Sequence, residues 1–240
     1  MYGVKHKWLL IVLLVCANPA HAAPIEVLTY EVSPFAVQIR NQKHGLLIEL
    51  VEELFKRAAL EYQIKFVPLK RAMLSVQHSK DQCVVPVDRS QERETSYQWV
   101  SPVLISRYGL FGGPENNVDL ATMNDAKPYV IGSFRGAGIG EYLVGHGFKV
   151  ELASTNEQSY WKLQRGRVSL WASELINAEQ IMLKEGQSLQ PKLVFFTALR
   201  AMACNLELSE HKVFKLKLAL VSMYRDGFID QLYRDYGIDI

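Results

Sequence analysis

Strand-like and helix-like segments alternate in two separate series along this 240-residue chain, and this repeat most constrains the fold. In the first series, three short apolar runs between residues 25 and 87 alternate with helical segments, of which 46–58 has the clearest apolar stripe. The alternation restarts at residue 129, after a loop rich in Gly, Pro and Asn at 112–117. Strand–helix–strand units form parallel sheets with right-handed crossovers. The sequence therefore predicts two α/β lobes in preference to one continuous sheet.

The strands and helices predicted after the second series are more than the sheet of the second lobe needs. Residues 193–196 and 201–206 read as two separate extended runs, and helices are predicted over 210–225 and 228–236. Returning the last strand and these helices to the first lobe makes the chain cross twice between lobes. Two crossings form a hinge that permits closure.

The predicted boundaries follow from those crossings. We expect residues 23–107 and 200–240 in the first lobe and residues 108–199 in the second.

The first residues have the pattern of a secretory signal peptide. A basic head at residues 5–7 precedes ten apolar residues, 8–17, and an A-x-A cleavage site ends at Ala22. Ten apolar residues are too few to cross a bilayer, which takes about 20. We therefore expect residues 1–22 to be a signal peptide and the rest to reach the periplasm without being embedded in a membrane.

The charge balance argues against nucleic acid as a partner. Residues 1–22 hold two of the 27 Lys and Arg side chains and none of the 25 acidic ones, so the remainder carries 25 of each. Binding to phosphates needs a basic patch, and no run of Lys or Arg is present. The isolated histidines lack metal-ligand spacing, so we expect no bound metal ion and no cofactor. Separately, we expect the protein to be a monomer.

Two cysteines, Cys83 and Cys204, lie in apolar strand-like runs outside the predicted signal peptide. A disulfide is chemically allowed in an exported protein. Two buried free thiols are the simpler alternative, and we rank that alternative ahead of the bridge.

Opposite charges follow two of the predicted strands. Arg93 comes one turn after the strand at 83–87, and Glu174 comes just after the strand at 168–171. Ligands of open α/β sheets bind at the carboxyl ends of the strands. A cation and an anion facing each other across a cleft would suit a small zwitterion or polar acid.

Several short motifs occur in a particular order along the chain. They are Ser33-Pro34-Phe35, Arg89-Ser90-Gln91-Glu92-Arg93, Trp99-Val100-Ser101-Pro102, Gly166-Arg167-Val168 and Arg225-Asp226-Gly227. In this order the chain resembles a divergent branch of the family 3 extracellular solute-binding proteins, the periplasmic receptors of polar amino-acid ABC importers. The resemblance covers nearly all of residues 23–240. It implies an α/β, two-lobed periplasmic-binding-protein-like fold of type II, with two lobes joined by a two-strand hinge.

The resemblance also implies roles for individual residues. By position, Arg93 is the arginine that clamps the α-carboxylate of an amino acid, and Glu174 is the acid that receives its α-ammonium. The Gly136-Ala137-Gly138 turn corresponds to the helix N-terminus whose N–H groups also contact the carboxylate. Glu174 has a structural alternative, as a favourable acid at the start of a helix.

Five further residues are candidates for the cleft. Asp88 stands where the family often has a small hydroxyl residue, and it is either a turn residue or a cleft residue. Arg71 either lines the cleft or lies on the surface. Tyr30, Phe35 and Trp99 flank the predicted cleft and are candidates for aromatic contact with a ligand.

These features predict a periplasmic receptor that captures a small polar, amino-acid-like solute by hinge closure and presents it to an ABC permease or a membrane sensor. Two alternatives stay open. The first is a prephenate-type dehydratase on the same scaffold, with Glu174 or Asp88 as general acid. The second is a sensory or interaction module that has no small ligand.

Overall fold

The computed structural model describes residues 23–113 and 118–238, so the predicted signal peptide lies outside the described residues. Within these ranges the strands are β1 (Ile25–Thr29), β2 (Val37–Ile39), β3 (Gln42–His44), β4 (Tyr62–Phe66), β5 (Gln82–Asp88), β6 (Gln98–Gly112), β7 (Val130–Phe134), β8 (Lys149–Ala153), β9 (Leu170–Glu174) and β10 (Leu193–Cys204). The α-helices are α1 (Leu46–Ala58), α2 (Leu69–His78), α3 (Gly138–Gly145), α4 (Asn156–Gln164), α5 (Leu175–Lys184), α6 (Glu210–Arg225) and α7 (Phe228–Asp235). Short 3₁₀ helices occupy Gln91–Ser96 and Met123–Ala126.

Eight strands form one mixed sheet in the order β4-β1-β5-β10-β6-β9-β7-β8. The strands β4, β1 and β5 pair in parallel at one end, and β9, β7 and β8 do so at the other. In the middle, β10 is antiparallel to β5 and β6, and β6 is antiparallel to β9. The two parallel ends are the two predicted α/β series. All eight strands nevertheless belong to one hydrogen-bonded sheet, because β6 and β10 connect its two parallel ends.

The strands β6 and β10 join the two halves because both are long, with 15 and 12 residues respectively. The first part of β6 pairs with β10 beside β5, and its last part, from Tyr108 to Gly112, pairs with β9. The two predicted extended runs at 193–196 and 201–206 are parts of one strand. Irregular register between Arg200 and Met202 interrupts that strand without ending it.

Separate hydrophobic cores lie on either side of these two strands. The first core contains the buried face of α1, which packs against α6 and the sheet. Two smaller cores fill the other half, one around Ile131 and Leu170 and one around Tyr160 and Trp171. The halves around these cores are called the first and second lobe below. None of the helices in the described ranges is long and apolar enough to cross a bilayer.

The two cysteines form a disulfide, so the expectation of free thiols was wrong. Cys83 in β5 and Cys204 in β10 are opposite each other in the antiparallel pair and are bonded through their sulfur atoms. Sequence patterns located both strands but did not show that the last strand pairs with β5. That pairing is what brings the two cysteines together.

The disulfide should contribute strongly to stability because it closes a loop with a sequence separation of 121 residues. We expect the double variant Cys83→Ala/Cys204→Ala to lose about 2 to 5 kcal/mol in the free energy of unfolding, measured by urea denaturation. Dithiothreitol should destabilise the wild-type protein and leave the double variant unchanged. Equal sensitivity of both proteins to the reductant would contradict this assignment.

Candidate functional site

Arg93 connects the two lobes. It lies in the 3₁₀ helix Gln91–Ser96 of the first lobe and is only 5% exposed. Its Nη2 donates to the carbonyl oxygen of Gly136, 3.0 Å away, and to the Glu141 carboxylate, 2.7 Å away, both in the second lobe. Its Nη1 donates to the carbonyl oxygen of Asp88 at 3.2 Å. The contacts with Gly136 and Glu141 exist only while the lobes are together, whereas the contact with Asp88 lies within the first lobe.

The carboxylate of Asp88 lies at the N-terminus of α3. Its Oδ2 accepts a hydrogen bond from the backbone N–H of Gly138 at 3.1 Å, and its Oδ1 accepts from the Tyr108 hydroxyl at 2.8 Å. A Cβ atom on Gly138 would lie 2.7 Å from Oδ2 of Asp88, so only glycine permits this approach. A helix N-terminus favours an anion. In this protein the anion is a side chain of the first lobe.

Arg200 is a buried cation at the same place that sequence reasoning missed. It lies in β10, is 4% exposed, donates to the Tyr30 hydroxyl and stands over the ring of Phe35. Its Nε is 3.4 Å from Oδ1 of Asp88, an ion pair without hydrogen-bond geometry. The available signal was a lone arginine within the apolar run at 198–204.

The charge on Arg200 is stabilised by its neighbours. Burial disfavours the charged guanidinium, but the surrounding Tyr30, Tyr108, Asp88 and Glu174 outweigh burial and raise the pKa of Arg200. The tyrosine pKa values respond to burial as well. Burial and Asp88 together raise the pKa of Tyr108 well above its ordinary value. At neutral pH the cluster therefore contains a charged guanidinium and neutral phenols.

Glu174 is the N-cap of α5, and its carboxylate is bonded to that helix. Its two carboxylate oxygens accept from the backbone N–H groups of Ile176 at 3.1 Å and Asn177 at 2.7 Å. Burial raises the pKa of Glu174, against the lowering effect of these hydrogen bonds and of Arg200. Glu174 lines a separate cleft of about 690 Å³ beside Arg107 and α7. The carboxylate that pairs with Arg93 is therefore Glu141, which sequence reasoning missed.

The other predicted site residues divide into two groups. Gly136, Ala137 and Gly138 form the turn that receives Arg93 and Asp88, while Tyr30 and Phe35 contact Arg200. Two candidates lie elsewhere. Arg71 is exposed on α2, and Trp99 packs against Tyr97 and Arg89 on the outer side of the first lobe.

A cavity of about 220 Å³ lies between the lobes, where β1, β4, β7 and β8 end. The first lobe contributes residues 30–32 and 66–69, and the second contributes Phe134, residues 154–156 and Asn177. This is where ligands of α/β sheets bind. Of the predicted site residues, Tyr30 lines this cavity.

Two asparagines form a buried polar chain along one wall of this cavity. Asn156 donates to the Asn177 side-chain oxygen at 2.6 Å and accepts from the Trp171 indole at 2.9 Å. Asn177 then donates across the lobes to the carbonyl oxygen of Ser33 at 2.7 Å. Asn156 is the first residue of α4 and Asn177 lies in the first turn of α5, and each helix follows a strand. This position was the signal in the sequence for their role. Within residues 23–113 and 118–238, no group of three or more His, Cys, Asp or Glu side chains is arranged to hold a metal ion.

Comparisons with known proteins establish the fold. No family model and no curated protein matches the sequence. Among solved structures, the arginine-, lysine-, histidine-binding protein ArtJ from the thermophilic bacterium Geobacillus stearothermophilus has a TM-score of 0.78 at 19% identity, covering 89% of this chain and 94% of that one. A histidine kinase sensor domain with similarity to periplasmic binding proteins has a TM-score of 0.81 at 13% identity, covering 88% and 95%. The ancestral amino acid-binding protein AncCDT-1, a precursor of cyclohexadienyl dehydratase, has a TM-score of 0.74 at 16% identity, covering 88% and 94%.

The chain therefore has the two-lobed α/β fold of periplasmic binding proteins, which confirms the predicted fold class.

The raised pKa of Glu174 predicts a pH dependence of stability. A carboxyl whose pKa is higher in the folded state stabilises that state below the unfolded pKa, and this contribution is lost as pH rises through the folded pKa. We therefore expect the unfolding free energy of the wild type, relative to Glu174→Gln, to fall as pH rises from about 4 towards neutrality. Urea denaturation at several pH values measures it. The control is Glu179→Gln, an exposed position on the same helix. A difference between wild type and Glu174→Gln that does not change with pH would contradict the prediction.

Proposed function

We propose that the protein is a receptor that captures a small solute between its two lobes. The observation that carries this proposal is a set of side-chain bonds that link the two lobes: Arg93 to Glu141, Asp88 to the N–H of Gly138, and Asn177 to the Ser33 carbonyl. Each exists only in the closed arrangement. Of these residues, Asn177 also lines the cavity of about 220 Å³ between the lobes. The lobes that move are residues 23–107 with 200–238, and residues 108–199 without the undescribed loop at 114–117.

Closure of such a molecule depends on small free energies. A hydrogen bond to a charged group contributes about 1.5 to 3 kcal/mol net, and a neutral one about 0.5 to 1.5 kcal/mol. The inter-lobe bonds named above therefore stabilise closure by only a few kcal/mol, against the entropy of opening about β6 and β10. A solute that touches both lobes contacts its full surface only in the closed form, so its binding shifts the population towards closure.

The functions described for structurally similar proteins also support a receptor function. ArtJ is described as an arginine-, lysine-, histidine-binding protein, and another neighbour is a sensor domain of a histidine kinase. With the predicted signal peptide, these likenesses support an exported receptor whose closed form is read by a membrane permease or a membrane sensor.

The geometry favours binding over proton-transfer catalysis, although AncCDT-1 is a precursor of a dehydratase. Asp88 accepts from Gly138 and Tyr108 and pairs with Arg200, and Glu174 accepts two backbone hydrogen bonds. Neither residue lines the cavity of about 220 Å³, and Glu174, which lines the separate cleft of about 690 Å³, has both carboxylate oxygens bonded to α5. A general acid has to reach the atom that it protonates.

Removing the Arg93 bridge should open the molecule. Arg93→Ala deletes the contact with Glu141, whose side chain is 46% exposed and stays solvated without a partner. We expect a loss of about 1.5 to 3 kcal/mol in the stability of the closed form, seen as a larger radius of gyration in small-angle X-ray scattering. The matched control is Arg89→Ala, since Arg89 pairs with Glu94 inside the first lobe at 2.5 Å. Equal scattering from the two variants would exclude Arg93 as a closure contact.

Filling the cavity should abolish solute binding and leave the charged residues untouched. Val67 lines the cavity of about 220 Å³, and the much larger side chain in Val67→Trp would occupy space that a solute needs. In a thermal-shift screen against amino acids, amines and organic acids, we expect at least one compound to raise the melting temperature of the wild type but not of Val67→Trp. The control, Val221→Trp, alters a side chain that is 53% exposed on α6 and should behave as wild type. Equal stabilisation of Val67→Trp by that compound would place the binding site elsewhere.

A further inference from the structure

We infer that the solute taken by the cavity between the lobes is a small cyclic amine, an apolar ring bearing a protonated amino group and no carboxylate. The inference rests on the proposed receptor function and names the class of solute that the cavity fits. It departs from the amino-acid-like solute that the sequence suggested.

The size and lining of the cavity set the body of the solute. An apolar cavity of about 150 Å³ holds a benzene ring. The 220 Å³ available here therefore accommodates one six-membered ring and a side chain of two or three heavy atoms. The walls include the rings of Tyr30, Phe66 and Phe134. Tyr30 and Phe134 come from different lobes, and their centroids are 6.4 Å apart.

The groups that would receive a carboxylate are already engaged. Arg93 is paired with Glu141, and Arg200 with Asp88. The N-terminus of α3 holds the carboxylate of Asp88. Neither arginine is among the residues lining the cavity. A carboxylate entering the cavity would therefore lose its hydration without gaining a guanidinium partner, which is unfavourable.

The polar side chains in the cavity wall also offer few donors. The Asn156 amide nitrogen donates to both Ser173 and Asn177, at 2.7 and 2.6 Å. Asn177 donates to a backbone carbonyl, and the Tyr30 hydroxyl donates to the carbonyl oxygen of Pro86 at 3.4 Å. A carboxylate could use these amide and phenol donors only by breaking their bonds, which leaves the hydroxyls of Ser154 and Thr155 as the remaining side-chain donors among the lining residues.

The charge at the cavity favours a cation. Glu31 is the one charged residue among those that line it. Partial burial raises the pKa of Glu31, and the nearby Glu157 acts in the same direction, while a hydrogen bond from the Gln38 backbone N–H and the charge of Lys184 oppose them. On the far wall, Arg135 is exposed, does not itself line the cavity, and donates from Nη1 to the Ser154 hydroxyl at 3.3 Å. Glu31 is an exposed residue of the lining, and one of its carboxylate oxygens accepts from the Gln38 N–H at 3.2 Å. An ammonium group beside it would meet the second oxygen and the aromatic rings, and both attract a cation.

Calorimetry on the exported form of the chain, with ligands that share a ring, tests this inference. Phenethylamine is compared with phenylalanine, 3-phenylpropanoate and 2-phenylethanol, and benzylamine with benzoate and benzyl alcohol. We expect an amine of this panel to bind at least ten times more tightly than its carboxylate, amino-acid and alcohol counterparts. Glu31→Gln should weaken amine binding about tenfold and leave alcohol binding unchanged. The control is Glu52→Gln, an exposed position on α1, which should bind as wild type.

The outcomes separate this inference from the receptor function. Tighter binding of phenylalanine or a carboxylate, abolished in Val67→Trp, would overturn the amine inference and keep solute capture between the lobes. Equal binding of amine and alcohol, or no effect of Glu31→Gln, would also overturn it. If neither this panel nor the broader screen yields a ligand sensitive to Val67→Trp, both the receptor function and the amine inference fail.

Discussion

The buried pair of Asp88 and Arg200 determines how the two lobes meet. Asp88 ends β5, and Arg200 lies opposite it in β10 where that strand passes between the lobes. Removing one member of a buried ion pair leaves the other unpaired, at a cost of about 3 to 5 kcal/mol. Asp88 also accepts the N–H of Gly138 at the start of α3. One carboxylate thus fixes β10 against β5 in the first lobe and orients the second lobe through its helix.

This pair explains why charges identified separately in the sequence combine differently in the structure. Arg93 and Glu174 follow strands of different lobes, and the sequence suggested that they face one another. Glu174 instead satisfies two backbone N–H groups at the start of α5, and the exposed Glu141 on α3 reaches Arg93. An acid immediately before a helix has N–H partners within its own segment. Local capping therefore takes precedence over a distant ion pair, a competition that spacing alone does not resolve.

Sequence patterns gave the helices more fully than the strands. The bounds predicted for α1 and α6 agree with the structure because apolar periodicity over ten or so residues is a strong signal. The strand β10 was predicted in two pieces, since its middle contains Arg200 in an otherwise apolar run. That misreading also concealed the pairing of β10 with β5, and with it the disulfide, Arg200 and its contact with Asp88. The missed parts of the site all depend on contacts between segments distant in sequence, which local patterns do not encode.

The internal pairing of charges changes what a ligand can contribute to closure. In a cleft with free guanidinium groups, a bound carboxylate supplies the counter-charge that holds the lobes together. Here Asp88 and Glu141 supply those counter-charges from the protein itself, so closure does not require an anionic ligand. The adjoining cavity is left with aromatic walls and Glu31. The free energy that a ligand adds to closure then comes from buried apolar area, at about 25 cal/mol per Å², and from electrostatic attraction to one carboxylate. Selectivity in such a site rests on the shape of the ring and the sign of the charge, because carboxylates find no unpaired arginine among the lining residues.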